Sequence, residues 1–358
     1  MERALHLLPE LTRGRGVSEN LPNRFEKLHY EADPDLQIDS GEAPAPKTEY
    51  FGDPSRSILS YNNSPDVGFE VSINPYRGCE HGCSYCYARP FHEYLGFSAG
   101  LDFETKILVK EDAPKLLQKE LSAPNWRPQA IAMSGVTDPY QPIERRLKIT
   151  RQCLEVLAEF RNPVVIITKN FFVTRDVDLL AELARHHAVA VFLSITTLDE
   201  ELRRAMEPRT SSPPRRIEAI EKLSQAGVPV GVMTAPVIPG LNDHEIPAII
   251  TAAARAGARH ASYTLVRLPH AVAPLFEKWL DQHRPERKEK VLNRIREIRG
   301  GRLNDSHFGS RMEGEGIFAR QIDSLFEISC HRVGIENGGP RLSVAAFRYS
   351  GGVQIPLF

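Results

Sequence analysis

Between residues 69 and 266 short apolar, β-branched runs alternate with single stretches of helical period, and few folds accept that alternation. The runs at 69–73, 130–134, 164–168, 189–195, 228–234 and 262–266 read as strands, with helices over 143–160, 176–186, 214–226 and 243–256 between them. Asp176 supplies a helix start signal, and Gly227 sits where a left-handed C-cap is expected. A run such as Val164-Val165-Ile166-Ile167-Thr168 has no polar face, so both sides of its sheet must be covered. Single helices between such strands imply a parallel sheet of right-handed βαβ units. Six units make an α/β fold, either doubly wound or an incomplete barrel, and in both cases chemistry belongs at the C-terminal strand ends.

Three of the five cysteines fall on the loop after the first strand: Arg77-Gly78-Cys79-Glu80-His81-Gly82-Cys83-Ser84-Tyr85-Cys86-Tyr87. The C-x3-C-x2-C spacing lets three thiolates converge, with Gly78 and Gly82 relieving the crowding of so tight a wrap. Two occupants suit such a loop. Three thiolates hold three corners of a [4Fe–4S] cluster and leave one iron open to a ligand. Alternatively, His81 or His92 completes a Cys3His zinc site of the kind found in nucleic-acid or interaction modules, although the chain lacks the second ligand pair usual there. The odd cysteine count and the clustering argue for ligation in a reducing compartment rather than for disulfides. Cys153 and Cys330 read as buried small side chains.

The run Asn74-Pro75-Tyr76-Arg77-Gly78-Cys79 through Cys86-Tyr87-Ala88-Arg89 resembles the radical S-adenosylmethionine (SAM) superfamily, in the branch related to spore photoproduct lyase. Thr137-Asp138-Pro139-Tyr140-Gln141-Pro142, Ile167-Thr168-Lys169 and Pro236-Val237-Ile238-Pro239-Gly240 extend the similarity over roughly residues 66–270. The resemblance implies a partial (β/α)6 TIM-like barrel, a [4Fe–4S] cluster on Cys79, Cys83 and Cys86, and SAM on the open iron. It also implies an electron donor of the flavodoxin, ferredoxin or reductase kind, and a 5′-deoxyadenosyl radical that takes hydrogen from a substrate.

Residue by residue, the resemblance places Tyr85 near the adenine and Thr137-Asp138 at the SAM ammonium. Lys169 and Ser194 then hold the carboxylate, and Ile238 and Val266 flank the adenine. Tyr87 matches a tyrosine of the lyase's radical relay. One departure stands against lesion repair: where the lyase carries a hydrogen-donating cysteine, this chain has Gly135. The substrate is left open between a nucleic-acid base and some other molecule.

Outside that stretch, residues 1–60 read as an extended, partly disordered arm, in which Arg13 and Arg15 suit a solvated tail better than a polyanion site. Residues 61–270 form the barrel and 271–358 an extension covering it. Within the extension, 285–299 has an apolar stripe at Val291, Leu292, Ile295 and Ile298, ends at Gly300-Gly301, and turns its arginines to solvent. His307 and Arg311 are candidates for meeting substrate, and Arg209, Arg215 and Arg216 for pairing with the SAM carboxylate. The 358 residues are 41% hydrophobic and 25% charged, enough for a sizeable core, and the net charge of −1 draws neither nucleic acid nor an anionic membrane to the whole molecule. No run spans a bilayer and the start is too short for a secretory h-region, so a cytoplasmic location is expected.

Overall fold

A computed structural model of the protein describes residues 14–25 and 46–349, which leaves Arg13 outside the described part. Six parallel strands form the body: β1 (Val71–Ile73), β2 (Ile131–Met133), β3 (Val164–Thr168), β4 (Val189–Ser194), β5 (Val230–Val237) and β6 (His260–Leu265). They pair in chain order, each parallel to the next. A helix follows each: α1 (Ala113–Leu121), α2 (Ile149–Phe160), α3 (Val177–Ala184), α4 (Pro213–Gln225), α5 (Ile246–Arg255) and α6 (Val272–His283). The sheet does not close. Leu59–Tyr61 runs antiparallel to β1 on one edge, and Glu336–Asn337 runs parallel to β6 on the other. This is the expected incomplete barrel.

Every residue of β4 is buried, as a strand covered on both faces must be. The helices bury single stripes against the sheet; α2 buries Cys153, Leu154, Leu157 and Phe160, spaced for one face. The stretch expected as one helix over 143–160 is broken at Lys148, whose φ is +57°. The break exists because the Glu144 carboxylate is needed in the core, where it accepts from the Tyr76 hydroxyl and from Thr150 N at 3.0 Å. Asp176 does not cap α3 with its side chain. It is buried between Tyr140 (3.1 Å), Arg151 (3.0 Å) and Arg175 (2.7 Å), and a 3-10 turn at Phe171–Asp176, capped by Asn170, precedes the helix instead. At Gly227 the left-handed cap is present, with φ +77° and its N–H on Ser224 O.

The first connection holds more structure than the pattern showed. Lys106–Val109 pairs parallel with Glu49–Gly52 and antiparallel with Tyr76–Arg77, making a small second sheet that delivers the chain to Gly78 and Cys79. Where the arm is described it is bonded to the body: Arg15 donates to Glu104 O (2.9 Å), and Asn23 to the carbonyls of Glu93 (2.9 Å) and Phe97 (3.0 Å). In the extension, α7 (Lys288–Glu297) and the residue after it bury Val291, Leu292, Ile295 and Ile298. Helix α8 (Gly316–Val333) lies on the β6 edge through Phe326, whose ring is 4.7 Å from that of Tyr263. Among the described residues no helix is long and apolar enough to cross a membrane.

Candidate active site

The loop from β1 is wound by left-handed turns at Gly78 (φ +78°) and Gly82 (φ +67°). A Cβ at Gly82 would lie 2.5 Å from the Glu104 carboxylate, and one at Gly78 3.0 Å from Phe103 O, so both turns depend on glycine. Backbone bonds from Cys79 N to Phe103 O and from Ser84 N to Met206 O fix the two ends of the wrap. Arg89, fully buried, donates to Cys83 O (3.0 and 2.8 Å) and Gly100 O (2.9 Å) and pairs with the equally buried Glu104. The other Glu104 oxygen accepts from Gly16 N at 3.0 Å, so the arm is stapled onto the cysteine loop.

Cys79 and Cys83 are buried and Cys86 half-buried. Burial, then the Glu207 carboxylate and the two sister thiols, pushes Cys83 up, whereas Lys169 pulls it down. Burial and Cys79 push Cys86 up to about 11. A cationic group bound between thiols that oppose one another's ionisation offsets that repulsion and favours the thiolates. Among the described residues no three His, Cys, Asp or Glu side chains are gathered as a site for a single metal ion. Of the two proposed zinc histidines, His81 is engaged by protein groups, whereas the buried Nε2 of His92 has no partner among the described residues. His81 is wedged between Asp138 (3.3 Å) and Asn170 (3.3 Å), and His92 stacks with Phe97 and Phe103. Three mutually interacting thiols on one loop are a donor set of the kind an iron–sulfur cluster takes.

The strand ends bring the other expected residues to the loop. Lys169, just past β3, donates through Nζ to Ser194 (2.6 Å), Thr196 (3.1 Å) and the Ala235 carbonyl (2.9 Å). Its ammonium also lies 3.3 Å from Glu207. Tyr85 donates to Glu207 and meets Thr196 at 3.2 Å. Ile238 and Val266 pack with Cys83 and Tyr85 in one apolar cluster.

Thr137 and Asp138 are placed at the β2 end, but their polar atoms are taken. Thr137 donates to Gly78 O at 2.7 Å, and Asp138 accepts from Thr168 (2.7 Å), Tyr140 N (2.8 Å), Lys169 N (2.8 Å) and His81. Burial alone would raise the Asp138 carboxyl; His81 and these donors hold it below its usual value. In this arrangement both side chains brace the β2 end, and four donors converge on Asp138.

Sequence reasoning missed the group at the centre. Glu207 is fully buried and receives Arg216, Tyr85, Thr196 (2.6 Å) and Lys169. Burial would raise its carboxyl, yet Arg216 and Lys169 hold it well below the carboxylate range. The signal was the segment Glu207-Pro208-Arg209-Thr210, read for its arginine rather than its acid. Of the three arginines weighed, Arg216 is spent on Glu207, Arg215 lies over the Phe171 ring at 3.5 Å, and Arg209 reaches Glu80 (3.3 Å) on the cysteine loop. Tyr87 donates to Gly135 O at 2.6 Å and is 41% exposed.

An incomplete (β/α)6 barrel whose strand ends face a three-cysteine loop defines a class, and comparisons with known proteins agree. The radical SAM superfamily pattern matches residues 73–253, and the chain belongs to the radical SAM superfamily, a family of enzymes that use SAM and an iron–sulfur cluster and draw on an electron donor. An uncharacterized protein of Mycobacterium tuberculosis is 36% identical over 238 residues, 66% of this chain and 69% of that protein. A radical SAM Nalpha-GlyT isomerase of Pseudomonas phage M6 is 26% identical over 259 residues, 71% of this chain and 52% of that protein. Spore photoproduct lyase complexed with dinucleoside spore photoproduct shares the fold, with a TM-score of 0.58 at 16% identity over 80% of each chain.

Proposed function

We propose that this protein binds a [4Fe–4S] cluster through Cys79, Cys83 and Cys86 and SAM beside it, and uses them to abstract hydrogen from a substrate at the open mouth. When bound, the cluster supplies the electron that splits SAM into methionine and a 5′-deoxyadenosyl radical, itself reduced by a flavodoxin- or ferredoxin-like donor. The chain's own residues do the rest. Lys169 turns its ammonium toward the SAM carboxylate while Ser194 donates to the same group. Glu207 holds Lys169 aimed, and Ile238 and Val266 offer an apolar wall to the adenine next to Tyr85. Asp138 braces the β2 and β3 ends and the cysteine loop. The observation that carries the reading is the Lys169–Ser194 contact at 2.6 Å in the same strand-end site as the cysteine loop.

On the substrate, the lyase's dinucleoside complex supports a nucleic-acid base, while Gly135 argues against photoproduct cleavage. Gly135 has φ +127°, a conformation L side chains rarely adopt, so the backbone itself is shaped for glycine. Cys153 and Cys330 are in the main core and bring no thiol to the mouth. The test is anaerobic reconstitution with iron and sulfide, then reduction with SAM. Brown protein that releases 5′-deoxyadenosine supports the proposal; colourless protein holding one zinc overturns it. Spore photoproduct offered to active enzyme should not be restored to thymines over many turnovers.

A further inference from the structure

Arg267 stands just beyond β6, one residue past the apolar wall at Val266. Its guanidinium lies 4.5 Å from the centroid of the Tyr87 ring, and among the described residues it makes no hydrogen bond or ion pair. Tyr87 directly follows Cys86 and spans the open side of the barrel: its hydroxyl rests on Gly135 O beyond β2, and its ring on Arg267 beyond β6.

A second guanidinium lies behind the first. Arg299, 4% exposed, donates to Leu265 O (3.3 Å), Val266 O (2.9 Å) and Ser310 O (2.7 Å), while its buried Nε has no partner. The acids nearby are already engaged. Asp66 is held by Arg311 at 2.7 and 2.6 Å and by Gly309 N, and Asp305 by Ser310 and His307. Burial pulls both arginines down against upward pulls from Tyr87 and Asp66 on Arg267 and from Asp305 on Arg299, and Arg267 adds to the depression at Arg299. Among the described residues Arg267 is in bonding contact with no carboxylate and Arg299 bonds only carbonyls, and guanidiniums so removed from water are relieved by an anion.

We propose that Arg267, backed by Arg299, binds an oxyanion of the substrate, a phosphate or a carboxylate, at the barrel mouth beside Tyr87. The proposal rests on the mouth being the substrate entrance, but its test does not depend on SAM cleavage. Arg267 has the planar fork that such anions fit, and the anion would sit over the residue that follows the last cluster cysteine. Arg299 is a positioning residue: it grips the two carbonyls that precede Arg267.

The experiment is a titration of the full chain, before and after cluster reconstitution, with inorganic phosphate and with acetate, followed by NMR line broadening of each anion. Wild-type protein should bind one anion saturably, and the better binder tells whether phosphate or carboxylate is the natural group. Arg267→Gln should weaken that binding about tenfold or more, and Arg267→Lys by less. Arg302→Gln, at an exposed arginine three residues past Arg299, should not change it. Absence of saturable binding in the wild type, or equal weakening by Arg302→Gln, overturns the proposal. Loss of 5′-deoxyadenosine formation with anion binding intact would instead strike the SAM reading alone.

Discussion

Replacing Glu207 by Gln removes one charge from the interior and leaves the surrounding shape intact. Glu207 and Arg216 both have side chains with no exposure, and Lys169 retains 15%. Gln still accepts one hydrogen bond but leaves Arg216 without a counter-charge, and breaking a buried pair from one side costs about 3–5 kcal/mol. The lower figure applies where the amide keeps a bond. With an unfolding entropy of about 2.1 cal/mol/K per residue, about 3 kcal/mol lowers Tm by about 4 °C.

The pH dependence checks the cause. The carboxyl is held below its ordinary value in the folded state, so its stabilisation is complete above the unfolded value of about 4.3 and is lost as pH falls below it. The gap between wild type and Glu207→Gln should be constant from pH 7 to pH 5.5 and narrower by about 1 kcal/mol at pH 3.5. Denaturant unfolding of cluster-free protein measures both. Equal stability at pH 7, or a gap indifferent to acid, would show that Glu207 is not the counter-charge of Arg216 and Lys169.

Lys169→Met should weaken SAM binding to the reconstituted enzyme by about 1.5–3 kcal/mol, read by calorimetry, and wild-type affinity would remove Lys169 from the ligand set. In Gly16→Val the new Cβ would fall 1.5 Å from Gly82 O, so the arm must lift. Tryptic cleavage at Arg24 should then accelerate, and an unchanged digest would show that the arm does not depend on that approach. Burial pushes the Cys153 and Cys330 thiols up, the latter to about 11, so a disulfide reagent at pH 8 should modify both only at the unfolding rate. Fast reaction of either in native protein would contradict its place in the core.

The body of the barrel was legible because its signal is local. β-branched runs such as Val164–Thr168 cannot be solvated on either face, and a helix of one apolar stripe can only lie on such a sheet. The cysteine spacing, Lys169 and Ser194 were legible for the same reason: each sits at a strand end, and strand ends converge in any parallel barrel. Other features depended on partners far away in sequence. Lys148 breaks a helix because Glu144 is claimed by Tyr76, and Asp176 gives up a cap to meet Tyr140 and two arginines. The same holds for the arm, which binds through Gly16 to Glu104, and for Glu207, whose importance comes from Arg216, Tyr85 and Lys169 arriving from three other segments. Periodicity and spacing report which face of an element must be buried. Only the packed structure decides which buried charge meets which, because a Coulomb interaction depends on distances in space that the chain sets by folding.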